Sequence, residues 1–312
     1  MFIGIDLGGT NIAGGVVNSD GEILFRTSKP TEAHRGADGV IADIETMIEE
    51  LIATSGFEIF GIGVGVPGPV DGDLQHIHYC TNLNWHNIDL GKRLSQRFGV
   101  PAFVDNDANL AALAEEEVGV LKGSKVGVMI TLGTGIGGGI ILDGKPYRGV
   151  HGLTEIGHMV VGDNFYDCNC GKNGCFETFS SATAIIKYAT SLVDQDKHPG
   201  SKLNQVVSER PLTARDIFDA AKDGDPLGLD AVDRLVHYLA VGISNLVVVL
   251  DPDNIAIGGG VAQAGDYLMD KLKDKVKSME FVKNFPTAKL LFAELGNDAG
   301  IIGAGMLAKI ER

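Results

Sequence analysis

One imidazole and three thiols stand close together in the chain as His158-x9-Cys168-x-Cys170-x4-Cys175. Three thiolates and an imidazole complete a tetrahedral shell, the pattern of a structural Zn²⁺ site. Such a shell leaves no position open for water, so the metal would shape a loop rather than act as a Lewis acid. Gly171 and Gly174 lie between the ligands, where a loop must turn tightly. The fourth cysteine, Cys80, stands apart and reads as a buried thiol. Two carboxylates flank the cluster: Glu155 three residues before His158, and Glu177 two residues after Cys175. Either glutamate alone reads as a solvated surface residue. Carried together by a metal loop, the two would suit bidentate hydrogen bonding to sugar hydroxyls. His158 could then serve twice, with one ring nitrogen on zinc and the other N–H donated to a sugar oxygen.

Asp6-Leu7-Gly8-Gly9-Thr10-Asn11 ends a short apolar run in a carboxylate and then two glycines. The glycines would let consecutive backbone N–H groups face an anion in a nest, and Thr10 and Asn11 add side-chain donors. Asp6 is placed to hold a hydrated Mg²⁺ beside a triphosphate. The alternative is an ordinary glycine hairpin. A matching segment, Thr131-Leu132-Gly133-Thr134-Gly135-Ile136-Gly137-Gly138-Gly139, contains G-x-G-x-G without a following helical pattern, which excludes a dinucleotide-binding fingerprint. The chain has no G-x-x-x-x-G-K-[ST] either, so a P-loop is excluded. Residues 5–10 align without a gap on 130–135, Gly14 on Gly139 and Asn18 on Asp143. Two homologous halves, each offering a glycine hairpin to one nucleotide, are what an actin-like ATPase uses. Gly258-Gly259-Gly260, after another apolar run, is compatible with backbone lying flat against an adenine.

Val104-Asp105-Asn106-Asp107-Ala108-Asn109 sets polar residues at a strand-to-helix junction. Asp107 could accept the proton of an alcohol attacking a γ-phosphate, and Asn106 could orient a sugar hydroxyl. Helix capping would explain either residue equally well.

These residues need elements to hold them. Strands are predicted at Phe2–Leu7, Ala13–Asn18, Glu22–Ser28, Ile62–Val66, Val100–Val104, Ile255–Ile257 and Lys289–Ala293. Helices are predicted from the stripe Val40, Ile41, Ile44, Met47, Ile48, Leu51, Ile52, over Asp107 to Leu121, over Val232 to Leu250, around Tyr267 to Met279, and over Ile301–Ile310. Asp194–Pro211, polar and punctuated by Gly and Pro, reads as a surface loop. The expected architecture is two α/β domains: residues 1–120 plus 298–312, and 121–297, the latter with the zinc loop.

The chain has 312 residues, 44% hydrophobic and 21% charged, in keeping with a folded protein of about two domains. A net charge of −15 without a basic cluster argues against nucleic acid as partner. No uninterrupted apolar run approaches the ~20 residues of a membrane helix. Met1 to Gly9 has neither a basic region nor a cleavage site of a secretory signal. A cytoplasmic location is therefore expected.

Taken together, the motifs resemble those of the ROK family (repressors, open reading frames and kinases), most closely its bacterial glucokinase-type members. The resemblance runs end to end. It includes Asp6-x-Gly8-Gly9-Thr10, Pro67-Gly68-x-Val70-Asp71, Asn106-Asp107-Ala108-Asn109 and Leu132-Gly133-Thr134-Gly135-x-Gly137-Gly138-Gly139. It continues with Glu155-x-x-His158 and Cys168-x-Cys170-Gly171-x-x-Gly174-Cys175-x-Glu177. The resemblance implies an actin-like ATPase (ribonuclease H-like) fold of two α/β domains with a cleft between them. It implies transfer of phosphate from ATP, with Mg²⁺, to a hexose hydroxyl, usually at carbon 6, together with a structural zinc and frequent homodimers. By it, Asp107 is the general base, Asn106, Glu155, His158 and Glu177 contact sugar, and Gly68 presents backbone to it. Glucose is the favoured sugar; N-acetylmannosamine, N-acetylglucosamine, mannose and fructose are alternatives. A sugar-responsive repressor of the same family would carry a helix-turn-helix ahead of the first strand, and a strand beginning at Phe2 leaves no room for one.

Overall fold

A computed structural model describes residues 1–283 and 287–312, and at Thr81 the backbone alone. By internal contacts the chain divides into two compact units. One comprises Met1–Met129, Gly139–Thr154 and Ala293–Arg312; the other comprises Ile130–Gly138 and Glu155–Phe292.

In the first unit β1 (Phe2–Leu7), β2 (Asn11–Val17) and β3 (Ile23–Pro30) form an antiparallel meander. The helix α1 (Gly36–Ser55) then carries the chain to β4 (Gly61–Val66), which pairs parallel with β1. A hairpin of β5 (Ile77–Cys80) and β6 (Trp85–Ile88) and the helix α2 (Leu90–Phe98) precede β7 (Ala102–Asn106), parallel to β4. The helix α3 (Asp107–Val118) follows β7 without a break. β1 and β4, which have strands on both sides, are apolar and almost wholly buried, whereas edge strand β3 alternates between half-buried and exposed residues.

The chain then runs through β8 (Val126–Leu132), β9 (Ile136–Leu142) and the short β10 (Lys145–Pro146). In the second unit come α4 (Glu177–Ser180), α5 (Ala182–Asp194), α6 (Leu203–Glu209), α7 (Ala214–Lys222) and α8 (Pro226–Leu250). β11 (Asn254–Gly258), α9 (Asp266–Ser278) and β12 (Lys289–Phe292) complete it, and α10 (Ala299–Glu311) belongs again to the first unit.

The internal repeat is present in the strands themselves. β2 and β9 begin at 11 and 136, the same offset of 125 that aligns the two glycine segments. The strand orders are β3-β2-β1-β4-β7 and β10-β9-β8-β11-β12, so each sheet has a glycine hairpin beside two further strands. Gly68 follows β4, and Gly259 and Gly260 follow β11, at equivalent places in the two sheets.

Two expectations are corrected. Asp194–Pro211 is not loop throughout: α6 occupies its second half, anchored by buried Leu203 and by Asp225, which accepts from the Ser201 hydroxyl (2.8 Å) and the Lys202 N–H (2.9 Å). α8, 25 residues long, is apolar enough by composition to cross a membrane. Asp230, Asp233 and Arg234 interrupt its apolar sequence, and its stripe from Leu227 to Leu246 is buried, as in the core helix of a globular unit.

Candidate functional site

His158, Cys168, Cys170 and Cys175 do converge: one ligand atom from each lies within 4.8 Å of all the others. Two backbone features bring them together. Val160 bridges Cys175, with the Phe176 N–H donating to the Met159 carbonyl (2.7 Å), which sets the His158 segment beside the last cysteine. The Cys168 N–H donates to Lys172 O (2.8 Å) and the Gly171 N–H to Cys168 O (2.9 Å), closing a tight knuckle. A tetrahedral zinc with Zn–S about 2.3 Å and Zn–N about 2.0 Å requires ligand separations of roughly 3.5–3.8 Å. Cys168 Sγ lies 3.6 Å from His158 Nδ1, and Cys170 Sγ 3.5 Å from Cys175 Sγ. The donor set and its spacing fit zinc. With Nδ1 turned to the thiols, Nε2 is the nitrogen left for another partner.

Glu177, the first residue of α4, is fastened to this cluster. Its Oε1 lies 2.9 Å from Cys168 Sγ and 3.8 Å from His158 Nδ1. Its Oε2 lies over the Cα of Gly135, where a methyl group would overlap it, so Gly135 is the reason the carboxylate can lie against the second hairpin. The preceding residue, Phe176, is fully buried with the end of its ring against Gly242 of α8, in space a side chain there would take. Without metal, burial and the Glu177 hydrogen bond push the Cys168 thiol upward; a dication would reverse that balance. Glu155, half-buried, also has its carboxyl pushed up, by burial first, with the His158 charge opposing and that of Glu177 adding.

The glycine hairpins differ from each other. In the first, no residue from Gly8 to Asn11 has a left-handed backbone, and the Gly8 N–H donates to Asn11 O (2.9 Å). A nest is therefore not formed there; the turn uses that N–H to close the β1–β2 hairpin, and the Thr31 hydroxyl and N–H hold the Gly8 and Thr10 carbonyls (2.7 and 3.0 Å). Asp6 is half-buried, and burial raises its carboxyl, which favours a cation arriving beside it. Its side chain lies against Gly300 in the first turn of α10, in space a methyl group would take. In the second hairpin, Thr131 is the penultimate residue of β8, the Gly133 N–H donates to Gly135 O (3.0 Å), and Gly133 O accepts from Ala182 N at the start of α5 (2.9 Å). Thr134 is exposed at the tip. Gly258 closes β11; Gly259, at φ +86, lies against the Leu132 backbone, and Gly260 is exposed beyond it.

Asn106 and Asp107 stand where β7 becomes α3. The Asn106 side chain does cap the helix, its Oδ1 accepting from Ala108 N (2.9 Å) and Asn109 N (3.3 Å). Capping and substrate contact are compatible, because the cap fixes Oδ1 and leaves Nδ2 as donor. Asp107 Oδ1 accepts from the Ala108 N–H (2.8 Å). Buried Cys80 donates to Pro67 O (3.2 Å), and burial together with the Asp107 charge pushes its thiol up to about 12, so it is an inert neighbour. Gly68 is packed against the Tyr79 carbonyl too closely for any side chain. Sequence reasoning missed Phe176, Gly300 and the partners of Asp105: none carries a chemical signature, and only the packing reveals them.

The model of the ROK family matches residues 2–311. The chain is 38% identical to the glucokinase of Halalkalibacterium halodurans over 99% of this chain and 94% of that one. A ROK family glucokinase from Streptomyces griseus, solved in complex with glucose and AMPPNP, superposes with a TM-score of 0.82 at 33% identity, covering 99% of both chains. A ROK family transcriptional regulator, a homologue of the E. coli MLC protein, superposes with a TM-score of 0.85 at 28% identity, over 99% of this chain and 78% of that one. The fold is that of actin-like ATPases.

Proposed function

The chain belongs to the ROK family, and from that premise we propose that it is an ATP-dependent hexose kinase, a glucokinase passing the γ-phosphate of ATP to the 6-hydroxyl of glucose. The observation that carries this reading is the placing of Glu177: it follows the metal-cluster residue Cys175 by two positions, and Gly135 gives its carboxylate room against a glycine hairpin. Glu155, Glu177, His158 through Nε2, Asn106 through Nδ2 and the Gly68 backbone hold the sugar hydroxyls. Asp107 takes the proton of the attacking hydroxyl. Phosphoryl transfer asks for placement and charge stabilisation more than covalent chemistry, so the accuracy of these contacts sets the rate.

The nucleotide is assigned to Asp6, Gly8, Gly9, Thr10, Asn11, Thr131, Gly133, Thr134, Gly135 and Gly258 to Gly260. A magnesium ion beside Asp6 would neutralise charge on the phosphates. Zinc at His158, Cys168, Cys170 and Cys175 holds the loop in shape. In this reading the protein works in the cytoplasm as a homodimer or higher homo-oligomer, without membrane or nucleic-acid partner.

The test is a panel of sugars with ATP in a coupled ADP-release assay. Glucose is expected to be turned over with the highest kcat/KM, and Asp107→Ala to lose about 10²–10⁴-fold in kcat with its melting temperature kept. A variant retaining near-full turnover refutes the assigned base; preference for N-acetylmannosamine, N-acetylglucosamine, mannose or fructose moves the substrate but keeps the mechanism. The likeness to a transcriptional regulator favours a second reading, sugar-responsive DNA binding. Retention of DNA in a gel shift at physiological salt, without sugar turnover, would establish it instead.

A further inference from the structure

The junction that carries Asn106 and Asp107 hangs on a buried ion pair. Asp105, the penultimate residue of β7, is 2% exposed, and both of its oxygens are occupied. Oδ1 accepts from the Asn106 N–H (2.7 Å) and from Asn109 Nδ2 (3.0 Å); Oδ2 accepts from Arg148 Nε (2.7 Å). Arg148 Nη1 reaches Glu311 at the end of α10 (3.5 Å). Taking two charges out of water costs several kcal/mol, and a well-packed apolar pair often does as well for stability. A buried pair of this kind is best accounted for where it fixes the register of the segments it joins.

The two segments here are 43 residues apart in sequence. One is the junction 105–109. The other begins at Arg148 and runs through Gly149 and Gly152, both left-handed, to Thr154, with Glu155 next along the chain. Gly152 packs against the Val70 carbonyl in the loop that starts at Gly68, where no side chain would fit. The guanidinium is thus the point at which the strand-to-helix junction and the segment leading to Glu155 are tied.

We propose that Arg148 is a positioning residue for hexose phosphorylation, acting through Asp105 to hold Asn106 and Asp107 in register with the 149–154 segment and the Gly68 loop. Arg148 touches no substrate. The inference rests on the kinase reading and deepens it, because it predicts that sugar handling, not nucleotide handling, depends on a residue outside every assigned contact. Lysine can return the charge but not the Nε–H aimed at Oδ2, so it should restore the function in part.

The experiment measures KM and kcat for hexose and for MgATP separately in wild type, Arg148→Gln and Arg148→Lys, each well below its melting temperature. A displacement of about 1 Å costs up to about 100-fold, which is the expected loss in hexose kcat/KM for Arg148→Gln, with the KM for MgATP within about threefold. Arg148→Lys is expected about tenfold below wild type at an unchanged melting temperature. A folded Arg148→Gln within about twofold of wild type, or one whose loss appears equally in the MgATP KM, overturns the proposal. Should Arg148→Gln not fold, a lysine variant indistinguishable from wild type overturns it. A wild-type protein that phosphorylates no hexose overturns the parent reading and this one with it; an active wild type with unaffected variants overturns this one alone.

Discussion

Gly135→Ala isolates the contact on which the proposed sugar site rests. A Cβ at residue 135 would stand about 1 Å inside contact distance of Glu177 Oε2. Its backbone is not left-handed, so alanine brings no dihedral strain. The overlap falls on the end of a flexible side chain, and the carboxylate should move rather than the fold fail. Moving it about 1 Å misplaces the proposed hydroxyl contacts, at a cost of up to about 100-fold, or about 2.7 kcal/mol. The assay titrates glucose at saturating MgATP and then the reverse, with melting temperature as control and Gly200→Ala, where the added methyl meets open space, as reference. A rise in glucose KM clearly larger than any rise in the MgATP KM is expected. If the MgATP KM rises instead, or glucose KM stays within about twofold, the assignment of Glu177 to the sugar is wrong, and Gly135 serves the nucleotide alone.

Metal analysis of the purified protein should find one zinc per chain, and a strong chelator or Cys175→Ser should lower the melting temperature and abolish sugar binding together, since the loop then loses its cross-link. Asp6→Asn should raise the melting temperature at neutral pH. The folded-state pKa is raised by burial, so stability declines as pH climbs from the unfolded value of 3.8 through the folded one, and an amide escapes that loss; the same variant should require more Mg²⁺ for ATP turnover. For Glu155 burial likewise raises the carboxyl above 4.5. The kcat/KM for sugar should therefore fall as pH drops through a value above 4.5, and a Glu155→Gln variant should lack that limb; the same limb in both proteins would clear Glu155 of the role.

Much of the molecule was legible beforehand. The repeat at an offset of 125 survives as paired strand boundaries because glycine hairpins have few other ways to join two buried strands. The convergence of His158, Cys168, Cys170 and Cys175 was legible because thiols and imidazole so spaced have few other uses. Other parts were not. The hairpin β5–β6 and the charged helix α2 carry short, weakly periodic patterns, so propensity alone does not separate them from loop. α7 did carry a signal, the capping box of Thr213 and Asp216.

Residue identity, then, determined the strands of the two glycine hairpins and the grouping of His158 with three cysteines, since each depends on local chemistry and spacing. Which nitrogen of His158 turns to the thiols, that the Gly8 N–H closes its own turn, that Gly135 makes room for Glu177, and that Arg148 reaches Asp105 were decided only by the tertiary structure. These are contacts between segments distant in sequence or choices between equivalent atoms. They are settled by close packing and by the need of every buried polar group for a partner, conditions that only the folded chain imposes.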